Sequence, residues 1–451
     1  EEYHSKGGSI ISKRKIIIWI SSALVCGLLL LALWTTKKAN SVLQQDSESE
    51  FWLLSDVHFL SSTLHDNGIA FNQFAEGAAG KEMRYQAESL EAFVAEALEK
   101  RPTGVILTGD MTLNGEKASA ESLAELLAPL QEASIMVLSL PGNHEIYNGW
   151  ARIFDGDKEF YADQISPQDF KDIFSEGYEK ADSVDRTSLS YSINLNDQYR
   201  LVLLDSCIYE EQVNWNQPTT NGRLKESTLE WLKDQLEAAK QQQQTPLLFM
   251  HHNLLEHNSL LKEGYILDNS AQLQQLLTAY QVPAIFSGHI HIQDITEGPS
   301  GIQEIVIGSY STQELGYGVV TLTDKTINYQ KKVIDLDQWA AKNKRTDPHL
   351  LQYSNYQATI FQQDTTKMVR QQLASVTELT EEQINILCTF IAKMNAALFT
   401  GDDAYSQEEK ETIRHSEEYQ LLATYSYFLK QYVDSLLEDK SPDNALTLPI
   451  K

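Results

Sequence analysis

The feature that most constrains this 451-residue chain is a series of short apolar runs that alternate with helix-like segments. Six runs have the length and residue types of buried strands, at 51–54, 104–107, 135–138, 201–204, 247–250 and 284–286. Apolar residues at helical spacing lie between them, at 81–100, 119–131, 225–240 and 269–280. Two later runs, 302–307 and 316–322, add further strands. The alternation predicts an α/β fold built from layers.

Metal-ligand residue types follow five of these six strands directly. They are Asp56 and His58, Asp110, Asn143 and His144, His251 and His252, and His289 and His291. Each pair alone is explained by a turn or by a histidine bonded to backbone. In open α/β sheets, however, ligand sites form beyond the carboxyl ends of the strands. Imidazole and carboxylate together suit Zn, Mn and Fe, so the combination predicts a metal centre.

Charge and cysteine usage exclude other classes of function. The formal net charge is −27, which disfavours nucleic-acid duplexes and anionic lipid surfaces as partners through charge alone. The three cysteines, Cys26, Cys207 and Cys388, form no CxxC pair, so neither a cysteine zinc site nor a disulfide framework is indicated. A Cys207–Cys388 bridge is the alternative to two buried free thiols, and we expect the thiols.

Residues 16–34 are an uncharged apolar run of 19 residues, long enough for a transmembrane helix. Lys13, Arg14 and Lys15 precede the run, which predicts a cytoplasmic N-terminus at 1–15. Residues 35–50 then read as a polar stalk, and the remainder of the chain is placed outside the cytoplasm, anchored to the membrane. A cleaved signal peptide is the alternative, and it would make the protein secreted.

Strand signals stop after about residue 335, and the rest of the chain is polar with apolar residues at helical spacing. Residues 421–437 are one amphipathic example. The sequence therefore predicts an α/β domain at 51–335 and an additional all-α C-terminal domain at 336–451.

The strand-end residues also form an ordered set of motifs. They are Asp56-x-His58, Gly109-Asp110, Gly142-Asn143-His144-Glu145, His251 and Gly288-His289-x-His291. This series resembles the calcineurin-like metallophosphoesterase family over roughly residues 51–325. The resemblance implies a four-layer sandwich of two central mixed β-sheets flanked by helices. Glu145 departs from the commoner Asp, and Asn253 departs from a frequent Pro.

The resemblance implies two divalent metal ions, such as Mn, Fe or Zn. One ion would bind Asp56, His58, Asp110 and His291, and the other would bind Asp110, Asn143, His251 and His289. A metal-bridging hydroxide would attack the phosphorus in line. His144 would be the catalytic residue that stabilises or protonates the leaving oxygen. For His252, which follows His251 on the strand, we expect a structural or supporting role.

The predicted function is a metal-dependent phosphodiesterase that acts on nucleotides or cyclic nucleotides. Gly115-Glu116 and the helical C-terminal domain resemble bacterial cyclic-nucleotide phosphodiesterases. A phosphomonoesterase and a cell-envelope phospho-polymer hydrolase are alternatives, as is a membrane-tethered binding protein that uses its helical domain. Within the insert 147–182, Trp150, Arg152 and Tyr161 are candidates to line the substrate cleft, against the alternative of a plain surface loop. Tyr310 is a further candidate to reach the site.

Overall fold

The structure, a computed structural model, describes residues 41–43, 48–209, 219–299, 301–439 and 442–450. The predicted membrane span at 16–34 and the cytoplasmic segment 1–15 lie outside these residues. In the part of the chain that is described, every helix is too short or too polar to cross a bilayer. Membrane anchorage and placement outside the cytoplasm therefore stay predictions.

The strands and helices of the described residues follow in chain order. The strands are β1 Ser49–Leu54, β2 Gly104–Leu107, β3 Met136–Ser139, β4 Arg152–Asp155, β5 Lys158–Tyr161, β6 Ser183–Val184, β7 Tyr191–Asn194, β8 Tyr199–Leu204, β9 Thr245–Met250, β10 Ala284–Ser287, β11 Asp294–Glu297, β12 Gln303–Val306, β13 Gly316–Leu322, β14 Thr326–Val333 and β15 Ala445–Pro449. The α-helices are α1 Ile69–Glu76, α2 Gln86–Lys100, α3 Lys117–Glu132, α4 Pro167–Ile173, α5 Ser175–Lys180, α6 Glu226–Gln241, α7 Ser270–Ala279, α8 Leu336–Lys342, α9 Tyr353–Gln372, α10 Glu381–Thr400, α11 Gln407–His415, α12 Glu417–Tyr425 and α13 Tyr427–Leu436.

Two mixed sheets form the centre of the molecule. The first has six strands in the order β15-β14-β13-β1-β2-β3, and the second has seven in the order β11-β12-β10-β9-β8-β7-β6. Strands β1, β2 and β3 are parallel, as are β8, β9, β10 and β12. The carboxyl ends of these parallel strands therefore lie at one edge of each sheet, where ligand sites are expected.

Alternation of side chains along the strands produces the layers. In β1, Phe51 and Leu53 belong to the apolar core between the sheets, whereas Trp52 packs among the helices on the outer face. In β9, Phe249 faces the inter-sheet core and Leu248 faces α6 and α7. Successive side chains of a strand point to opposite faces, so each sheet is buried on both sides. The predicted four-layer α/β sandwich is confirmed.

The C-terminal region is helical but not all-α, and that part of the prediction is wrong. Residues Ala445–Pro449 form β15, which pairs antiparallel with β14 and completes the first sheet. Leu446 and Leu448 alternate along it and pack against the inter-sheet core, which explains why this short segment becomes a strand. The segment 421–437 is likewise divided into α12 and α13, since the Ser426 side chain caps the second helix.

Helices α9 to α13 pack around an apolar cluster of their own, and this cluster reaches the second sheet. Leu387, Leu398 and Leu429 belong to it together with Ile290 and Ile292, which flank His291 in the chain. The helical region thus rests directly on a segment that carries predicted ligands. Cys207 and Cys388 are buried free thiols, as expected.

Candidate metal centre

The loops that follow the parallel strands turn sharply at the predicted ligands. Among the seven predicted metal ligands, five have left-handed backbone angles: φ is 51° at Asp56, 48° at His58, 48° at Asp110, 70° at His289 and 66° at His291. Such angles are disfavoured for non-glycine residues and persist where surrounding structure imposes them. These turns bring side chains from separate strands into one space.

Glycines next to the ligands allow the loops to approach one another. Gly109 has φ +96°, and a Cβ there would lie 2.5 Å from Nδ1 of His251. A Cβ at Gly288 would lie 1.8 Å from Oγ of Ser55. No other residue fits at these two positions without displacing the neighbouring ligand loop.

The first ligand group contains Asp56, His58, Asp110 and His291, whose candidate ligand atoms all lie within 4.8 Å of one another. Nε2 of His291 is 3.2 Å from Oδ1 of Asp56 and 3.1 Å from Nε2 of His58. Nε2 of His58 is in turn 3.9 Å from Oδ2 of Asp110. The structure thus brings together the residues predicted for the first ion.

The second ligand group contains Asp110, His251 and His289, again within 4.8 Å. Nε2 of His251 lies 3.3 Å from Oδ2 of Asp110 and 3.1 Å from Oδ1 of Asn143. Nε2 of His289 lies 2.8 Å from the carbonyl oxygen of Gly264. Nδ1 is therefore the ring nitrogen of His289 that remains as a candidate metal ligand. Asp110 is common to both groups, in agreement with the sharing that the sequence predicts.

The donor set fits bound cations. Ser55 donates a 2.5 Å hydrogen bond to Oδ2 of Asp56, but the buried Oδ1 has no hydrogen-bond partner among the described residues. The ring nitrogens of His58 and His291 face each other at 3.1 Å beside that oxygen. Buried carboxylate oxygens are normally paired, and a cation between these atoms would satisfy all three.

Electrostatics favour an anionic Asp110 with positive charge beside it. Burial opposes ionisation, but His251 and His144 outweigh it and lower the pKa of Asp110 well below its usual value. Burial also acts to lower the pKa of His251, yet Asp110 raises it to about 9. For His289, burial lowers the pKa to about 4, so this ring is the neutral form that ligates metals.

His144 lies at the edge of both groups with a defined orientation. Its Nδ1 is 2.6 Å from the carbonyl oxygen of Leu113 and 3.0 Å from Oδ1 of Asn114. Because Nδ1–H donates to these acceptors, Nε2 faces the centre, 3.8 Å from Oδ2 of Asp110. The His144 side chain is 22% exposed, so substrate has access to it.

Two other predicted residues, His252 and Tyr310, lie away from the ligand groups. Both ring nitrogens of the buried His252 are occupied, with Ser206 Oγ at 2.7 Å from Nδ1 and the carbonyl oxygen of Thr220 at 3.0 Å from Nε2. His252 is therefore structural.

Tyr310 does not reach the site, because its ring is buried beside Phe93 and its hydroxyl donates to the carbonyl oxygen of Ser89. That prediction is wrong.

The insert 147–182 is a folded segment and not a plain loop. It forms the β4–β5 hairpin and two short helices, and Phe154 anchors the hairpin in a small apolar cluster with Phe71. Trp150 and Tyr161 are 45% and 61% exposed, and the Arg152 guanidinium lies 4.3 Å from the centroid of the Tyr161 ring. A role for these three side chains at the substrate stays a prediction.

Sequence reasoning missed Lys81. This partly buried side chain lies within electrostatic range of Asp110, Asp56 and, on α9, Asp364. Burial lowers the pKa of Lys81 while those carboxylates act in the opposite direction. Lys81 follows no strand, so the strand-end pattern gave no signal for it.

A two-sheet α/β sandwich with His, Asn and Asp at its strand ends has the architecture of a metal-dependent hydrolase. The chain belongs to the calcineurin-like phosphoesterase family, since the family model of that description matches residues 49–293. A second model, described as the C-terminal domain of cyclic nucleotide phosphodiesterase, matches residues 335–443.

Individual relatives are distant. A 3′,5′-cyclic adenosine monophosphate phosphodiesterase of Haemophilus influenzae is 32% identical over 110 residues, which are 24% of this chain and 36% of that relative. The match thus spans about a third of the relative's length. A dimetal phosphatase from Danio rerio has a TM-score of 0.48 at 18% identity, covering 63% of this chain and 96% of that structure. A purple acid phosphatase from Lupinus luteus has a TM-score of 0.42 at 14% identity, covering 64% and 52%.

Proposed function

We propose that this protein is a dinuclear metal-dependent phosphodiesterase. The observation that carries the proposal is that two ligand groups, each within 4.8 Å, share the carboxylate of Asp110. Two ions held by these groups would activate water and neutralise charge on a phosphate. The imidazole and carboxylate donors suit Mn, Fe or Zn.

The residues of the chain divide the remaining work. Asp110 holds the two halves of the site together, because Oδ1 accepts from the main-chain N–H of His144 and Oδ2 faces the imidazole nitrogens. Asn143 supplies a neutral oxygen at 3.1 Å from Nε2 of His251, which keeps the net charge of the second group low. Lys81, within electrostatic range of Asp110 and Asp56, adds a positive charge near the site, which favours an anionic phosphodiester.

His144 acts as the proton donor to the leaving oxygen. Its Nδ1–H is held by the Leu113 carbonyl oxygen, so the ring is fixed and Nε2 faces the substrate. Donation requires the doubly protonated ring, with the second proton on Nε2; burial lowers the pKa of His144, and Asp110 acts in the opposite direction. Asn148 connects this histidine to the rim of the site: its Nδ2 donates to the carbonyl oxygen of His144, and its Oδ1 accepts from the main-chain N–H of Trp150.

We propose a cyclic nucleotide as the substrate class. Two findings support it: the description of the model that matches residues 335–443, and the activity in the name of the Haemophilus relative. The exposed ring of Trp150, on the segment that Asn148 ties to His144, offers a surface on which a base can stack.

The test is a substrate panel with the full chain. The protein is stripped of metal with chelator, reloaded with Mn²⁺, Fe²⁺ or Zn²⁺, and assayed with bis-p-nitrophenyl phosphate and p-nitrophenyl phosphate. 3′,5′-Cyclic AMP, 3′,5′-cyclic GMP and a 2′,3′-cyclic nucleotide follow. We expect metal-dependent cleavage of the diester and of at least one cyclic nucleotide, with the monoester a poor substrate.

Other results of the substrate panel would indicate other functions. Preference for the monoester would make the protein a phosphomonoesterase. Cleavage of the synthetic diester without any cyclic nucleotide would direct attention to cell-envelope phospho-polymers. A folded protein that binds two ions and turns over none of these substrates would contradict the enzymatic proposal and favour a binding protein.

A further inference from the structure

A third cluster of carboxylates lies outside the metal centre, where the helical region meets the second sheet. It contains Asp294 at the start of β11, Asp439 after α13 and Asp443 before β15, and one oxygen of each lies within 4.8 Å of the others. The three residues come from two distant parts of the chain. The fold therefore places like charges together at the junction between its two regions.

Burial makes this arrangement costly without a counter-charge. Asp443 has 0% of its surface exposed. Its Oδ1 accepts from the main-chain N–H of Ile295 at 2.9 Å, but its Oδ2 has no hydrogen-bond partner in the described part of the chain. Asp403, which is 3% exposed, lies within electrostatic range of Asp439 and Asp294. Burial, followed by the neighbouring carboxylates, raises the pKa of Asp403 to about 8 and that of Asp443 to about 9, so full ionisation of the cluster at neutral pH needs a counter-charge. A buried carboxylate oxygen with no partner points to a missing ligand.

Two positive groups of the described residues lie next to the cluster, and both contact oxygen atoms other than Oδ2 of Asp443. The His257 imidazole lies between Asp294 Oδ2, to which its Nδ1 is hydrogen-bonded, and Glu304, whose Oε2 is 3.0 Å from Nε2. The positive charge of this ring is therefore placed against Asp294 and Glu304 and not against Oδ2 of Asp443. The ammonium group of Lys410 bonds to the main-chain oxygen of Asp439 at 2.5 Å.

We propose that Asp294, Asp439 and Asp443, with Asp403 beside them, bind a hard divalent cation, and that this cation is Ca²⁺. The cluster offers carboxylate oxygens and no free imidazole or thiolate, which is the donor set of Ca²⁺ and Mg²⁺ and not of the softer metals. Ca²⁺ fits better than Mg²⁺ because it accepts irregular carboxylate geometry. The bound cation would join β11, just after His291, to the last strand of the chain.

The proposal is independent of the phosphodiesterase function, and calcium binding tests it directly. The full chain is loaded with Mn²⁺ at its metal centre, desalted, and titrated with Ca²⁺ by calorimetry. We expect one Ca²⁺ site and a rise of about 3–5 °C in melting temperature at saturating Ca²⁺. Mg²⁺ should produce a smaller rise at the same concentration.

Two isosteric variants separate this site from the metal centre. Asp110→Asn, which disables the metal centre, should keep the calcium-dependent rise. Asp443→Asn should lose it while melting in chelator close to the wild-type temperature, because Asn keeps the acceptor for Ile295 and is uncharged, like Asp443 below its raised pKa of about 9. A residue needed only for packing would instead lower the melting temperature in chelator.

Three results would overturn the proposal. They are the absence of calcium binding at millimolar concentration in both wild type and Asp110→Asn, equal calcium stoichiometry in wild type and Asp443→Asn, and stabilisation by Mg²⁺ or Mn²⁺ with none by Ca²⁺. If Asp443→Asn does not fold, Asp439→Asn replaces it, and the wild-type titration still decides whether calcium binds.

Discussion

The main-chain N–H of His144 donates a 2.9 Å hydrogen bond to Oδ1 of Asp110. Oδ2 of the same carboxylate lies 3.3 Å from Nε2 of His251 and 3.9 Å from Nε2 of His58. A single side chain thus sets the position of the proposed proton donor and connects the two ligand groups.

Asp110→Asn should lower the metal content from two ions to at most one. The amide has one acceptor oxygen and no negative charge, so it cannot connect both groups as the carboxylate does. We expect turnover of bis-p-nitrophenyl phosphate to fall by about 10³-fold or more, roughly 4 kcal/mol in the barrier. Metal content is measured by mass spectrometry. Asp169→Asn, at a partly exposed aspartate on α4, is the matched control and should keep both ions.

His144→Gln should keep both ions and lose rate. Removal of a positioned proton donor typically costs about 10² to 10⁴-fold. The loss should be largest for substrates with a poor leaving group such as a nucleoside, and smaller for p-nitrophenolate. His415→Gln, on the exposed end of α11, serves as the control. An equal loss for good and poor leaving groups would argue against the proton-donor role.

Lys81→Met should raise the KM for an anionic phosphodiester by about 10-fold, equivalent to ~1.4 kcal/mol. The side chain is within electrostatic range of Asp110 and Asp56 but is not placed among the ligands. Lys81→Arg should restore most of the affinity, because charge matters here more than shape. Lys393→Met removes an exposed charge on α10 and should leave the KM unchanged. A change in metal content instead of KM would make Lys81 a structural residue.

Leu387→Ala should destabilise the protein and also weaken metal retention. Leu387 is fully buried in the cluster that contains Ile290 and Ile292, and such truncations cost about 2–5 kcal/mol. Leu277→Ala, in the cluster between the second sheet and α7, should cost a similar amount but leave metal retention unchanged. Thermal melting and chelator titration give the two readouts. Equal metal retention in both variants would show that the helical region does not support the ligands.

The Lys117–Asp169 pair should make a small, pH-dependent contribution to stability. The Lys117 hydrogen bond, followed by those from Ser166, lowers the pKa of Asp169 from 3.8 to about 2. A lowered carboxyl pKa stabilises the fold above the unfolded value and is lost as the pH falls from about 4 toward 2. The melting temperature of Asp169→Asn should therefore approach that of wild type as the pH falls from about 4 toward 2. The difference should also shrink in high salt, because the pair is near the surface.

The strand ends made the candidate metal centre predictable from the sequence. Each predicted ligand follows an apolar run within about five residues, and parallel strands must bring their carboxyl ends to one edge. The same apolar runs predicted eight strands, which correspond to β1, β2, β3, β8, β9, β10, β12 and β13 and make up most of the two sheets. Glycine positions such as Gly109 and Gly288 agree with it, since the close approach of the loops requires them.

The pattern of ligand residues after apolar runs does not predict contacts between segments far apart in the chain. Asp294 and Asp443 are separated by about 150 residues, and neither has a neighbour in sequence that marks it as a ligand. The strand Ala445–Pro449 is five residues long, and only its pairing with β14 makes it a strand. Tyr310 was misplaced because a strand-end loop can turn a side chain into the core as readily as toward a site.

The position of β15 limits how the helical region can move. The chain leaves the first sheet after β14, builds α8 to α13, and returns to pair with β14 again. The region is therefore attached at both ends to adjacent strands, in contrast to a domain that hangs from a single linker. Swinging it away from His289 and His291 would require breaking the β14–β15 ladder. We therefore expect substrate to reach the candidate metal centre without a hinge motion of the helical region.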